Sequence, residues 1–148
     1  MMIFSLLGCN SSSNTITAFR DGIPETEYWQ VESIQSGDRL IVKKKRFRQR
    51  TLQLCGVTDL TPEAKPYLQQ QVKQSPENVP VVFAGKNNGI WYGDVWVGAG
   101  DREESASGLL LFNGMAKLIE DYYNCPDGDS LKLAENLAKE QKRGIWAD

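Results

Sequence analysis

The stretch YWQVESIQSGDRLIVKKKRFRQRTLQLCGV, residues 28–57, decides the fold. Apolar and polar residues alternate in it over three short runs, at residues 29–31, 40–42 and 52–54. Such a period of two is typical of strands that bury one face. Ser-Gly-Asp at 36–38 supplies a turn between the first two runs, and the basic run KKKRFRQR supplies the tip and flanks of the next hairpin. The pattern therefore predicts three consecutive strands.

A helix is predicted directly after the third strand, over residues 62–74. Thr61 is a good N-cap residue, and Pro62 suits the first helical position. Glu63 then falls in the first turn, where the helix dipole favours an anion. We expect Glu63 to play this structural part.

The second half of the chain predicts one more hairpin and two more helices. The run VPVVFAGKNNGIWYGDVWVG, residues 79–98, reads as two strands joined through Asn87-Asn88-Gly89, a turn that tolerates positive φ. Amphipathic patterns predict helices over 104–113 and 131–143, the latter capped by Asp129 or Ser130. Five short strands with a helix between the third and fourth indicate an α+β, mainly β fold, namely a five-stranded OB-fold barrel with three helices.

The composition limits the kinds of catalytic and binding site that this chain can form. The 148 residues fit one domain, and the net charge of −2 restricts any nucleic-acid contact to a local basic patch. The chain has no histidine, which excludes histidine-based triads and histidine metal ligands. The three cysteines, Cys9, Cys55 and Cys125, lack the spacing of a zinc site. A general base would have to be a carboxylate, lysine, tyrosine or cysteine.

The first 27 residues read as a separate leader and tether ahead of a domain at 28–148. An apolar run ends in Leu-Leu-Gly-Cys and is followed by a Ser/Asn-rich stretch, which resembles the end of a bacterial lipoprotein signal with Cys9 as the lipidated residue. The run is short and no basic residue precedes it, so an unstructured apolar tail is the other interpretation. The first interpretation predicts an exported protein attached to a membrane through Cys9, or a periplasmic or extracellular one.

Five pieces of the sequence, in order, resemble the thermonuclease family, the staphylococcal-nuclease-like OB-folds. The most specific piece is AENLAKEQKRGIWAD, a helix that closes on Gly-Ile-Trp. The others are SGDRLIV, LQLCGV, PEAKPYLQQQV and NNGIWYGDVWV, with FNGMAKLI preceding the last helix. The resemblance covers about residues 29–148 and implies the same barrel.

The resemblance also implies a reaction, the Ca²⁺-dependent hydrolysis of a phosphodiester in DNA or RNA. Asp38 stands where the family has a calcium ligand. The second ligand falls on Thr58, or on Asp59 if the strand carries a one-residue bulge. If the protein is active, Asp38, Asp59 and Glu63 are the candidate catalytic residues, with Asp38 and Asp59 on the metal.

At other positions, the catalytic residues of the family are replaced or missing in this chain. One family arginine is Gln53 here and the second is Ile90, and Arg50 should point to the opposite face of its strand from Gln53. The family has two Pro-Glu pairs, whereas this chain has only the helical one at Glu63. The resemblance therefore implies a degenerate nuclease fold that needs no cofactor, or Ca²⁺ if activity survives.

The basic run is the strongest remaining signal for binding. Its six cations could contact successive phosphates of a single strand, or they could only protect an edge strand from aggregation. Trp91, Tyr92 and Trp96 could stack on bases or fill the barrel. The six cations are Lys43, Lys44, Lys45, Arg46, Arg48 and Arg50.

Three functions stay open: a binding module for single-stranded nucleic acid or a protein, a weak nuclease, and an envelope-anchored interaction protein.

Overall fold

The structure is a computed structural model that describes residues 26–45, 48–99 and 101–148. Its strands are β1 (Thr26–Ser36), β2 (Arg39–Lys44), β3 (Arg48–Leu54), β4 (Val57–Thr58), β5 (Val79–Asn87), β6 (Ile90–Val97), β7 (Glu104–Ser105) and β8 (Lys117–Leu118). Its α-helices are α1 (Ala64–Lys73), α2 (Ala106–Phe112) and α3 (Gly128–Glu140), with 3-10 turns at Tyr122–Asn124 and Gly144–Trp146.

Five of the strands close into a barrel. β1 pairs antiparallel with β2 and with β5, β2 pairs with β3, and β5 pairs with β6. The ring is completed by a parallel ladder between β3 and β6, from Leu52 opposite Trp91 to Leu54 opposite Gly93. This strand order confirms the predicted five-stranded OB-fold barrel, with its three α-helices outside the barrel wall.

The period of two along β2 and β3 sets which side chains enter the barrel. Leu40 and Val42 on β2 are fully buried, as is Leu52 on β3. Counting two residues at a time along the same faces leads to Lys44 at the end of β2 and to Arg50 on β3. The inner face therefore changes from apolar to cationic at the tip of this hairpin.

The first helix begins later than the sequence predicts, and Thr61 is not its N-cap. Residues 62 and 63 form a turn in which the Ala64 amide donates to the Thr61 carbonyl at 3.1 Å, so α1 begins at Ala64. Glu63 is the residue before the helix, and its side chain makes no capping hydrogen bond. The predicted place in the first turn is therefore wrong: Glu63 is the N-cap residue, although it still lies beside the positive end of the helix dipole.

The bounds of the other helices also shift. α2 begins at Ala106 rather than at 104 because Glu104 and Ser105 pair with β6, and Ser105 Oγ accepts from the Gly108 amide at 2.9 Å. α3 begins at Gly128, so the predicted caps Asp129 and Ser130 lie inside the helix. It ends at Glu140 rather than at 143.

The Gly-Ile-Trp motif anchors the carboxyl end of the chain to the end of α2. The Ile145 amide donates to the Gly114 carbonyl at 2.9 Å. A Cβ on Gly144 would lie 2.2 Å from that carbonyl oxygen, and both glycines have positive φ. Only glycine fits this approach, which explains the specificity of the motif.

Among residues 26–45, 48–99 and 101–148, none of the helices has both the length and the apolar composition of a membrane-spanning segment.

Candidate functional site

Three aromatic side chains from three strands meet at one end of the barrel. Trp29 of β1 packs edge-on against Phe83 of β5, with ring centroids 5.6 Å apart. Phe83 packs in the same way against Trp91 of β6, at 5.2 Å. Trp29 is fully buried, whereas Trp91 keeps part of its ring exposed. These rings form an apolar floor beneath the tips of the two hairpins.

Arg50 lies on this floor. Its guanidinium carbon is 3.8 Å from the centroid of the Trp91 ring, 4.7 Å from Phe83 and 4.8 Å from Trp29. These distances are those of cation–π contacts. Burial lowers the pKa of Arg50 from its ordinary value, an effect that Glu27 opposes. The guanidinium nevertheless stays charged, since arginine is not deprotonated in proteins.

Three more cations surround the same rings. Lys44 and Arg48 lie 5.5 Å from the Trp29 centroid, and Lys86 lies 5.2 Å from Trp91. The acid that the structure places with them is Glu27, 3.6 Å from Lys44. Positive charge is therefore in excess here, although the chain as a whole is acidic. We call this group the barrel mouth; its residues are Trp29, Lys44, Arg48, Arg50, Phe83, Lys86 and Trp91.

A cleft opens beside the barrel mouth because β3 and β6 separate there. Their ladder begins at Leu52 and Trp91, so the β6 side of β3 has no strand partner over residues 48–51. The gap is a cavity of about 290 Å³ between β3 and the tip of the β5–β6 hairpin. Its lining is mostly polar and cationic: Ile41, Gln49, Arg50, Thr51, Lys86, Gly89 and Trp91.

The structure divides the six cations predicted to bind nucleic acid. Lys44, Arg48 and Arg50 belong to the barrel mouth, while Lys43 alternates with them onto the outer face of β2. Lys45 is exposed at the hairpin tip with φ of 60°, and Arg46 lies outside the described residues. Arg48 and Arg50, two residues apart on β3, share a strand face. Arg50 differs from the expected free phosphate ligand because its guanidinium is stacked on the aromatic floor.

Two of the positions that correspond to the nuclease site, Asp38 and Gln53, lie at the ends of β2 and β3 that are away from the barrel mouth, whereas Ile90 directly precedes Trp91 of the mouth. Asp38 accepts a hydrogen bond from Ser36 Oγ at 3.0 Å. Gln53, in the place of a family arginine, accepts from Arg39 Nε at 2.9 Å across the ladder. Sequence reasoning missed Arg39. The register of the hairpin, which places Arg39 opposite Gln53, is the signal that could have found it.

The remaining nuclease positions do not form a metal centre. Asp59 is exposed after β4 with φ of 53°, and Glu63 is exposed before α1. Ile90 begins β6 and has no charge to offer. In residues 26–45, 48–99 and 101–148, no group of three or more cysteine, aspartate or glutamate side chains could hold a metal ion. This donor set does not fit Ca²⁺, which takes about six to eight oxygen ligands.

One buried acid has a structural part that the sequence did not indicate. Asp94 of β6 is 1% exposed and accepts from Ser105 Oγ, from the Val95 amide at 2.8 Å and from the Ser107 amide at 3.1 Å. Burial raises its pKa to about 6, and these hydrogen bonds limit the rise. Asp94 therefore fastens the start of α2 to the barrel. Nothing in the local sequence distinguishes it from an outward-facing strand residue.

A disulfide joins Cys55 to Cys125, a pairing that the sequence left undecided. The two Cα atoms are 5.6 Å apart and the cysteines are separated by 70 positions. Cys55 follows β3, and Cys125 is buried shortly before α3. The cross-link therefore ties the end of β3 to the segment that leads into the last helix.

Comparison with protein-family models gives a match to the staphylococcal nuclease homologue over residues 41–148. That range includes the last four residues of β2, all of β3 to β8, all three α-helices and the Gly-Ile-Trp motif. No curated protein matches the chain. Cys9 and the leader lie outside the described residues, and the match does not reach them. With the barrel order and the matched range together, the chain belongs to the staphylococcal nuclease-like family.

Proposed function

We propose that this domain binds single-stranded nucleic acid through the β2–β3 hairpin and the barrel mouth, and that it does not hydrolyse it. The observation that carries the proposal is the group of four cations on three aromatic rings. Cations supply the salt-dependent attraction to phosphates, and the partly exposed ring of Trp91 supplies a stacking surface for a base.

The distribution of charge favours nucleic acid over a protein partner. The cations at the hairpin exceed the nearby acids, while the chain as a whole carries a net charge of −2. A regular polyanion gains from such a local excess because each neutralised phosphate releases counterions. Single strands fit better than duplexes, because the bases of a duplex are paired and stacked and cannot reach Trp91.

The test is the binding of a labelled single-stranded oligonucleotide, measured by fluorescence anisotropy over a range of salt concentrations. The variant Lys43→Gln with Lys45→Gln removes two cations that make no contact with the aromatic floor. We expect the slope of log K against log salt to decrease by about 0.7 for each lost phosphate contact. Lys65→Gln with Lys132→Gln, on α1 and α3, is the matched control and should leave the slope unchanged. Absence of binding at low salt would contradict the proposal.

A weak phosphodiesterase is the second candidate function, and one observation favours it. Arg39 brings a guanidinium to within 2.9 Å of Gln53, the position where the family has a cation. A fixed guanidinium beside a phosphate can stabilise the charge that develops in the transition state. The incomplete donor set at Asp38 and Asp59 argues against this candidate.

We also propose that the protein is exported and attached to a membrane through Cys9. The Cys55–Cys125 disulfide supports export, because such bonds persist in oxidising compartments and are rare in the cytosol. Detergent partitioning in the native host tests the anchor. The wild type should enter the detergent phase and Cys9→Ala the aqueous phase; equal partitioning would contradict the proposal.

A further inference from the structure

Three strands of the barrel begin at the same end of it. β3 and β6 run parallel in their ladder, and β1 runs in their direction because β1 and β3 are both antiparallel to β2. The first residues of these strands, Thr26, Arg48 and Ile90, therefore lie at the barrel-mouth end. The tips of the β2–β3 and β5–β6 hairpins lie there as well, because β3 and β6 follow them in the chain. Two hairpin tips and the start of β1 thus face one way.

Both hairpins are free of acids along their tips and flanks. The sequence has no aspartate or glutamate over residues 39–58 or 78–93, and these ranges include the two tips. The lysine and arginine side chains are therefore not neutralised by acids of their own hairpins. The cations that the structure describes at this end are Lys43, Lys44, Lys45, Arg48, Arg50 and Lys86.

Two acids of β1 contact the hairpin side chains, and they offset only part of this charge. Glu27 lies 3.6 Å from Lys44, and Glu32 accepts a hydrogen bond from Gln49, which is uncharged. A surplus of positive charge therefore remains, and it is spread over two hairpins. A partner that presents negative charge over an area complements such a surplus better than one small anion does.

The chain enters the described domain at this same end. Thr26 lies opposite Val82 of β5, one residue from Phe83 of the barrel mouth. Cys9, the proposed lipid attachment site, is joined to Thr26 through the sixteen residues 10–25. A segment of that length spans at most about 55 Å when it is fully extended. A lipid on Cys9 would therefore tether the domain to a bilayer by its barrel-mouth end.

Tyr28 supplies an aromatic side chain beside this entry. It is 59% exposed, although its neighbour Trp29 is fully buried in the barrel mouth. Tyrosine is enriched where membrane and water meet, because its ring is apolar and its hydroxyl is polar. An exposed tyrosine next to a surplus of cations is therefore suited to the headgroup level of a lipid bilayer.

We propose that the barrel-mouth end docks on an anionic lipid surface, with the cations of the two hairpin tips against the headgroups and Tyr28 at the interface. Juxtamembrane lysine and arginine residues are attracted to such a surface. The inference goes beyond the proposed function, which assigns nucleic acid to the same cations. Both partners are polyanions that need the same surface, so a lipid surface should displace a bound strand.

The test is sedimentation of the full chain with lipid vesicles. Cys9→Ser serves as the parent, because it removes the lipid attachment and leaves the surface alone to bind. It should bind vesicles made of equal parts of phosphatidylcholine and phosphatidylglycerol, and it should not bind phosphatidylcholine alone. High salt should release it, because salt screens exposed charges.

Charge variants of this parent locate the docking surface. Lys43→Gln with Lys45→Gln should weaken binding to the anionic vesicles by about 25-fold, at about fivefold for each lysine. Lys65→Gln with Lys132→Gln, on α1 and α3, is the matched control and should bind as the parent does. Thermal unfolding followed by circular dichroism verifies that each variant folds.

A pair of labelled variants tests the orientation without removing any charge. Asn87→Cys, beside the β5–β6 tip, and Asn136→Cys, on α3, both replace an exposed asparagine. Each carries a fluorophore whose emission shifts to the blue in an apolar environment. Anionic vesicles should shift the emission at position 87 and leave it unchanged at position 136.

The outcomes separate this inference from the proposed function. If the oligonucleotide binds and the anionic vesicles do not, the inference is wrong and the proposed function stands. If the vesicles bind in a way that depends on the hairpin lysines and the oligonucleotide does not bind, the inference stands and the proposed function fails.

Three further results would overturn the inference. They are equal binding to neutral vesicles, an equal loss in the control variant, and an emission shift at position 136 without one at position 87. Where both partners bind, vesicles that fail to displace the oligonucleotide would show that lipid does not occupy the barrel-mouth end. If neither partner binds, both proposals are wrong.

Discussion

The two ends of the β2–β3 hairpin carry different chemistry on the same pair of strands. At the barrel mouth, each of four cations lies within 5.5 Å of the centroid of at least one of three aromatic rings. At the other end, which we call the nuclease-equivalent end, the polar side chains make isolated pairs. Its residues are Asp38, Arg39, Gln53 and Asp59.

This difference shows that positive charge is concentrated at the barrel mouth. Four like charges with Glu27 nearby repel one another, and the repulsion would be offset by a bound anion. At the nuclease-equivalent end, by contrast, Arg39 is already hydrogen-bonded to Gln53, and Asp38 to Ser36. Cations are therefore in excess at the barrel mouth, whereas the charged residues of the nuclease-equivalent end include both signs.

The largest expected effect is on hydrolysis. With single-stranded DNA and Ca²⁺, cleavage should be undetectable or at least about 10⁴-fold slower than that of an active family member, since two transition-state donors of about 10²–10³ each are missing. Asp38→Ala and a chelator are the controls. Cleavage that is chelator-sensitive and lost in Arg39→Gln would show that the nuclease-equivalent end still works.

The next effect concerns the cross-link at the nuclease-equivalent end, where Cys55 follows Gln53 by two residues. In a Cys9→Ser background, Cys55→Ala with Cys125→Ala should lower the free energy of unfolding by about 4 kcal/mol, because the disulfide closes a long loop. Denaturation by urea measures it. A reducing agent should destabilise the parent by a similar amount and leave the double variant unchanged; equal stability of both proteins would contradict the prediction.

A third prediction concerns Asp94, which fastens α2 to the barrel. Its pKa is about 6 when folded and 3.8 for an ordinary aspartate, so between these values the folded state holds a proton that the unfolded state has released. The stabilisation that comes from this retained proton is fully present below pH 3.8, and it is lost as the pH rises through about 6. The loss is about 3 kcal/mol at roughly 1.4 kcal/mol per pKa unit.

Asp94→Asn should remove this dependence, because the amide keeps an oxygen for the backbone amides of Val95 and Ser107 and can donate to Ser105. Urea denaturation of both proteins between pH 4 and pH 7 isolates Asp94 from the other carboxylates. The wild type should lose stability relative to the variant as the pH rises. Parallel pH profiles would show that Asp94 keeps an ordinary pKa.

The smallest effect compares one arginine from each end. Arg50→Met should cost about 1 kcal/mol of stability through lost cation–π contacts, and Arg50→Lys should restore part of it. Arg39→Met removes one partly exposed hydrogen bond and should cost less. Urea denaturation at about 0.15 M salt limits the contribution of charge repulsion at the mouth. A larger effect at Arg39 would reverse the comparison.

The sequence predicted the fold well because the fold depends on local patterns. Alternation along β2 and β3, the Asn88–Gly89 turn and the Gly-Ile-Trp ending are each visible in a short window. The observed φ values of 53° at Asn88 and 80° at Gly89 confirm the predicted turn. Helix starts were less well predicted: the Thr61 amide donates to the distant Met115 carbonyl at 2.9 Å, and α3 begins at Gly128, two residues before Ser130.

The candidate site was predicted only in part. The hairpin cations were found because they are consecutive in sequence, and the loss of the family arginine at Gln53 follows from a motif. The stacking of Arg50 on Trp91, the pairing of Arg39 with Gln53 and the burial of Asp94 were not found. Each depends on barrel closure or strand register, which bring together residues from separate strands.

By itself, then, the sequence determined the strands, the family and the concentration of positive charge in one hairpin, because period, motif order and charge runs are properties of consecutive residues. Only the tertiary structure decided that Arg50 lies on an aromatic floor, that Lys86 faces it, and that Cys55 bonds to Cys125. These contacts join residues far apart in the chain. Their formation requires the β3–β6 ladder to close the barrel, and that closure is a property of the whole domain.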